Sequence, residues 1–187
     1  MKRYLLVAFV TLVLGFGAGF LAGGFPESEA KGEAKGDDFE VFLVPNARVI
    51  SVSPNPQAFY VVLKNKSKEP KRLFEFWNSW GYQNISFRFH TADGVRVLTR
   101  KDQDFTRNFP STYEVQGGEV TVFRIAFDER WDELPWIAEG ESNVRMQVVY
   151  KCDPSPEAEE GRAWTGTVAS KVYDVTFWRA PASSVGQ

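Results

Sequence analysis

Phe59-Tyr60-Val61-Val62-Leu63-Lys64-Asn65-Lys66-Ser67-Lys68-Glu69-Pro70 decides the fold. Phe59, Val61 and Leu63 share one parity and Tyr60, Val62 and Lys64 the other, the period of a half-buried strand, and the charged run ending at Pro70 is its exit. The same pattern recurs outward. Ile85, Phe87 and Phe89 alternate with Ser86, Arg88 and His90, and Asp93-Gly94 then separates this strand from Val95-Arg96-Val97-Leu98, a hairpin signal. Beyond Gly117-Gly118, Phe123, Ile125 and Phe127 point one way and Val122, Arg124 and Ala126 the other. Val144, Met146, Val148 and Tyr150 alternate with Asn143, Arg145, Gln147 and Lys151. Residues 164–168 and 172–178 supply a last strand bent near Ser170-Lys171, and an opening strand runs over 40–44 and past Pro45 to Ser53. The one helical candidate is 128–137, where Asp128 caps a turn or two holding Trp131 and Leu134 before Pro135.

About seven strands with turn signals between them, and no alternation of strands with helices, predict an all-β domain. The expected architecture is an immunoglobulin- or fibronectin-like antiparallel β-sandwich over residues 39–178. The 187 residues suffice for one such domain, and sixteen Phe, six Trp and six Tyr supply a core. A net charge of −2 gives no electrostatic footprint for nucleic acid. One His and one Cys in the whole chain cannot make a zinc quartet, a two-His copper site or a disulfide, so no metal and no cofactor is expected.

Residues 1–24 read as a leader. Lys2 and Arg3 precede an uncharged apolar run of 21 residues, Tyr4 to Gly24, which as a helix would span roughly 30 Å of hydrocarbon. The run therefore suits a signal peptide or a retained membrane anchor, and Ala22-Gly23-Gly24 and Ser28-Glu29-Ala30 resemble cleavage sites, which favours cleavage. Gly15, Gly19 and Gly23 have helix-pairing spacing, and 17–22 fits G-x-G-x-x-A, but no strand precedes that match and small residues are common in leaders. Residues 25–38, rich in Glu, Lys, Ala and Gly, read as a flexible linker and 179–187 as a disordered tail. Export to the periplasm or exterior is expected, with membrane contact only through residues 4–24 if they are retained.

The run 61–70, with Asp93-Gly94 and Gly117-Gly118-Glu119-Val120, resembles the L-x-N-x-S-x-x-P … D-G … G-E skeleton of bacterial secreted Ig-like domains, including those similar to BsuPI-type proteinase inhibitors. Trp77-Asn78-Ser79-Trp80-Gly81-Tyr82 and Thr106-Arg107-Asn108-Phe109-Pro110 are similar to an uncharacterised secreted branch of such proteins. The resemblance covers most of 39–177 and implies a fold, because its motifs specify turns and strands.

The densest chemistry lies in 73–82, where Phe74, Phe76, Trp77, Trp80 and Tyr82 crowd one strand. One reading puts Phe74, Phe76 and a Trp in the core with the other Trp capping an open end; the other makes Trp77, Trp80 and Tyr82 an exposed platform for a sugar ring or a protein. Tyr150-Lys151-Cys152 has the Y-x-C spacing of antibody-type domains, but with no second Cys it reads as an unpaired thiol beside a loop. His90 has outward parity and no G-x-S-x-G serine to serve, which argues against a general base. Asp102 and Asp104, and the group Asp128, Glu129, Asp132 and Glu133, lack calcium-loop spacing and read as solvated loop charges. Arg100, Lys101 and Arg107 read as a surface loop diluted by those aspartates, and Asn65-Lys66-Ser67 and Asn84-Ile85-Ser86 fit the glycosylation sequon at near-chance frequency.

No catalytic set emerges, so the first expectation is a non-enzymatic, envelope-located module that binds or braces a protein or glycan partner. The second is a secreted proteinase inhibitor, whose inhibitory loop would lie in 100–116 around Asn108, Phe109 and Pro110. The third is a hydrolase using the Asp/Glu pairs, which requires two carboxylates facing one pocket.

Overall fold

The long alternating runs are strands in the computed structural model, which describes residues 38–181. Chain order is β1 (Phe39–Val44), β2 (Val49–Ser53), β3 (Phe59–Asn65), β4 (Lys71–Phe74), α1 (Ser79–Tyr82), β5 (Ile85–Thr91), β6 (Gly94–Leu98) and β7 (Thr112–Val115). Then follow β8 (Val120–Ile125), β9 (Gly140–Cys152), α2 (Pro156–Glu160), β10 (Gly166–Ala169) and β11 (Tyr173–Arg179). One sheet has the order β1-β3-β8; a second runs β2-β11-β9-β5-β6 with β10 also on β9; β4 and β7 form a separate ribbon. The chain is all-β in class.

The parity read from the sequence is the parity of burial. Phe59, Val61 and Leu63 of β3, Ile85, Phe87 and Phe89 of β5, and Met146, Val148 and Tyr150 of β9 all enter one core cluster. Rings join the two large sheets: Phe59 meets Phe87 edge to face at 5.7 Å and Phe123 of β8 stacks on Tyr150 of β9 at 6.2 Å, while Phe39 of β1 meets Trp164, just ahead of β10, at 5.2 Å.

The junction after β3 explains the Asn-x-Ser and Gly-Gly-Glu motifs physically. Asn65 is fully buried, donates from Nδ2 to the carbonyls of Glu69 (2.8 Å) and Val115 (3.0 Å), and accepts at Oδ1 from the Ser67 N–H and hydroxyl. Its backbone N–H donates to Glu119 and its carbonyl accepts from Gly118, so one residue ties the β3 exit to the β7–β8 turn. Gly117 sits where a Cβ would come within 2.6 Å of the Lys68 carbonyl, and Gly118 has φ +84°, which favours glycine. The Asn65 amide is thus committed to this junction and not presented to solvent, in keeping with a chance sequon match.

Several expectations change. There are eleven strands among the described residues, against about seven expected, and one pairing, β2 with β11, is parallel in an otherwise antiparallel set. The opening strand breaks after Val44, where Pro45 brings no N–H to a ladder, and its halves join different sheets. Gln57 closes the free side of β2, its Oε1 accepting from the Ser51 N–H and its own N–H donating to the Ser51 carbonyl. The last strand divides into β10 and β11 at Ser170, whose hydroxyl accepts from the Val148 N–H and donates to the Lys171 carbonyl.

Over 128–137 separate turns form and no helix: Asp128 caps the first, its Oδ1 accepting from the Arg130 N–H and its carbonyl from the Trp131 N–H, and the Ile137 N–H donates to the Leu134 carbonyl. Further winding is prevented because the Asp132 N–H donates to the Thr99 carbonyl, the Lys101 N–H to that of Arg130, and Trp131 bridges to Arg100. Short helices occur instead at α1 and α2, each with a side-chain N-cap, Asn78 and Ser155. The chain also stays engaged past the expected domain ends. Asp38 pairs with Lys71 at 3.1 Å, Arg179 belongs to β11, and buried Ala180 donates to Ser53. The leader, most of the linker and residues 182–187 lie outside the described residues. Among the described residues no helix is long and apolar enough to cross a membrane.

Candidate functional site

Trp77 and Phe109 meet in space. Their rings stand edge to face at 5.0 Å and 69°, and they remain 46% and 54% exposed. The pair unites one member of the aromatic decade with the middle of the expected inhibitory loop, residues 32 positions apart in sequence.

The backbone around them is fixed from both sides. Asn78, fully buried, caps α1 by accepting from the Gly81 N–H at 2.9 Å and donates to the Ser111 carbonyl at 3.0 Å. A Cβ on Gly81 would run into the Glu75 carbonyl, so the turn into α1 closes only with glycine there. Asn108 makes a two-way clasp with Ser79: its Oδ1 accepts from the Ser79 N–H at 3.0 Å and its Nδ2 donates to the Ser79 hydroxyl at 2.9 Å. Past Pro110, the Ser111 N–H returns to the Phe109 carbonyl at 2.8 Å.

The other end of the loop is held by Arg100, which sequence reasoning left on the surface. It is only 6% exposed, and its guanidinium lies 3.8 Å from the Phe76 ring centroid, 4.6 Å from that of Tyr82 and 5.3 Å from that of Trp131. Burial lowers its pKa to about 10, so it remains charged at neutral pH while the ring faces replace water. The available signal was parity, because Arg100 follows buried Leu98 at a spacing of two. Arg100→Lys should destabilise the fold by about 1–2 kcal/mol in urea unfolding, since a compact ammonium loses the planar stacking and is harder to desolvate. Arg100→Met, which keeps the bulk and sheds the charge, should cost less.

Midway, Phe105 packs edge to face on Tyr82 at 5.5 Å. Tyr82 itself is 5% exposed, which removes it from any surface platform and corrects that expectation. Between these anchors, Trp77, Phe105 and Phe109 together with Gln103, Asp104 and Arg107 line an open groove of about 500 Å³. Trp80 leaves this surface: its ring stacks on Phe74 at 6.3 Å and it is half-buried over a different groove.

The remaining candidates fall into separate groups. His90 is half-buried on β5, opposite Val95 of β6 and Arg145 of β9, so its outward parity holds only in part. Asp102 accepts from Gln83 Nε2 at 2.7 Å and Asp104 lines the Trp77 groove. Asp128, Glu129, Asp132 and Glu133 do share one groove, of about 400 Å³, with Lys101 and Arg179. Burial pushes the Asp128 carboxyl up, but the hydrogen bonds from Arg130 outweigh it and hold the group below its ordinary value, a poor state for a general acid. Among the described residues no set of three or more His, Cys, Asp or Glu is placed to hold a metal ion.

Cys152 is buried at the end of β9 as a free thiol, and burial pushes its pKa up to about 11. Folding thus favours its protonated form, and thiolate reagents should label it slowly in the native protein at pH 8, faster as the pH approaches 11, and rapidly at pH 8 once urea unfolds the chain.

No protein-family model matches the chain, and no curated protein sequence matches it. Among solved structures, the chain is similar to the alkylpurine DNA glycosylase AlkC of Pseudomonas fluorescens, bound to DNA containing an abasic site analog. That likeness has a TM-score of 0.37 and 9% identity over 75% of this chain and 30% of that one. It is also similar to the sporulation control protein Spo0M of Bacillus subtilis, with a TM-score of 0.34 and 12% identity over 75% of this chain and 49% of that one. The chain thus spans less than half the length of either structure, and scores this low carry neither fold nor activity across.

Proposed function

We propose that the protein is a non-catalytic binding module of the cell envelope that grips a protein partner through Trp77 and Phe109. The exposed ring pair carries this reading. Two large apolar side chains stand about half in water, Trp77 just before α1 and Phe109 next to Asn108, and the Asn108–Ser79 clasp holds their two segments together. Burying such rings on a partner gains roughly 25 cal/mol per Å² of apolar surface, and a loop already ordered spends little entropy on association. Rigid aromatic anchors within a polar rim, here Gln103, Asp104 and Arg107, are the usual composition of binding hot spots.

The leader read in residues 1–24 supports export, either released or held at the inner membrane. A three-stranded sheet packed on a longer one, with the two halves of the opening strand shared between them, supports the immunoglobulin-like form of the all-β class and its resemblance to secreted Ig-like domains. Tagged full-length protein recovered from its own cells tests the binding surface. The variant W77A/F109A should retain at least tenfold less of the co-purifying partner, about 1.4 kcal/mol, with an unchanged unfolding midpoint; equal recovery refutes the reading.

The same bracing favours a second reading, a secreted proteinase inhibitor presenting Asn108-Phe109-Pro110. An inhibitory loop must be held rigid while it protrudes, and residues 106–110 are all exposed between their clamps. Inhibition of any member of a broad peptidase panel that vanishes in F109A/P110A supports it, and inhibition of none removes it.

A further inference from the structure

We infer that the groove on the other side of α1, walled by Trp80, binds a neutral sugar unit of a glycan. This site is independent of the Trp77–Phe109 surface. The groove is about 480 Å³, within the range of small-ligand sites. Its apolar wall is pre-set by Phe74, which stacks against the Trp80 indole at 30° between planes. With one face backed, the rest of the half-buried indole is left to the groove as a flat surface.

The lining opposite is polar and close to uncharged. Lys151 and Asp153 pair with each other at 2.7 Å, which leaves no net charge to select an ion. The Ser86 hydroxyl has no hydrogen-bond partner among the described residues, and the Ser155 oxygen accepts from the Ala158 N–H in capping α2. Asn84 also lines the groove, its Nδ2 donating to the buried Tyr150 hydroxyl at 3.4 Å. A flat apolar face against a ring of neutral donors and acceptors matches a pyranose, which has an apolar C–H face and an equator of hydroxyls. An anion finds no excess positive charge there, and an apolar ligand would strand the hydroxyls.

Titration of the full-length protein with cellohexaose, chitohexaose and maltohexaose, followed by tryptophan fluorescence, tests the site. At least one should saturate with a Kd below about 1 mM. Trp80→Ala should weaken that binding at least tenfold. Ser86→Arg, which fills the groove from a half-exposed position of β5 without touching the core, should do the same, while W77A/F109A leaves it unchanged. Absence of saturation by every probe up to about 10 mM, or binding that survives both Trp80→Ala and Ser86→Arg, overturns the inference.

Discussion

Phe127→Ala should lower the unfolding free energy by about 4 kcal/mol, the largest single-residue effect outside backbone-breaking changes. Phe127 lies just past β8 and carries the densest ring packing in the core. It meets Phe59 and Phe87 at 5.0 Å, Trp131 at 5.5 Å, Phe177 at 5.8 Å and Phe89 at 6.3 Å, with Phe59, Phe87 and Phe177 coming from both sheets. Truncation leaves a cavity walled by rings that are themselves locked by strand pairing, so little collapse relieves it. Against a total stability of order 5–15 kcal/mol, the variant should unfold at a much lower urea concentration with an unchanged slope. A loss under about 1 kcal/mol would mean that these rings do not form the joint between the sheets.

Asn65→Ala should cost about 3 kcal/mol through a different mechanism. The side chain's hydrogen bonds disappear together, and the Val115 carbonyl is left facing a buried gap, while the Glu69 carbonyl keeps only the Ser67 hydroxyl. Asn65→Asp should be nearly as damaging, because a carboxylate turns a second acceptor toward those carbonyls where an amide donated. Gly117→Ala should weaken the same junction, since its new Cβ meets the Lys68 backbone. Thermal unfolding checks all three; if Asn65→Ala leaves the midpoint unmoved, Asn65 does not hold the β3 exit to the β7–β8 turn.

These two residues also show what sequence can and cannot disclose. Phe127 was legible, because it continues the parity of Phe123 and Ile125 even after the strand ends. Asn65 was legible only as a turn signal; nothing in an Asn-x-Ser step says that its amide is spent on a carbonyl 50 positions away. The long runs in β3, β5 and β9 announce themselves by period two, whereas β4 and β7, four residues each, are too short to establish a period. The destination of β2 was unreadable for a related reason, since its parallel partner β11 is set by tertiary pairing and not by any adjacent turn.

The site was legible in pieces. Exposed aromatics could be expected near Trp77 and Trp80, and a presented loop near Phe109, but their union depends on Asn108 reaching Ser79 across 29 positions. Arg100 was misread because a charged side chain in a loop is usually solvated, and only the rings of Phe76, Tyr82 and Trp131 closing around it make burial tolerable. The same packing moves Tyr82 from the surface to the core.

The claim that Trp77 and Phe109 form the partner-facing surface is tested most directly by photo-crosslinking in the protein's own cells, with a photoreactive aromatic residue replacing each ring in turn and, as a control, Val120, exposed at 53% on β8. Positions 77 and 109 should both yield the same discrete higher-mass adduct, and position 120 should not. Adducts from all three positions alike, or from none of them, would contradict the account.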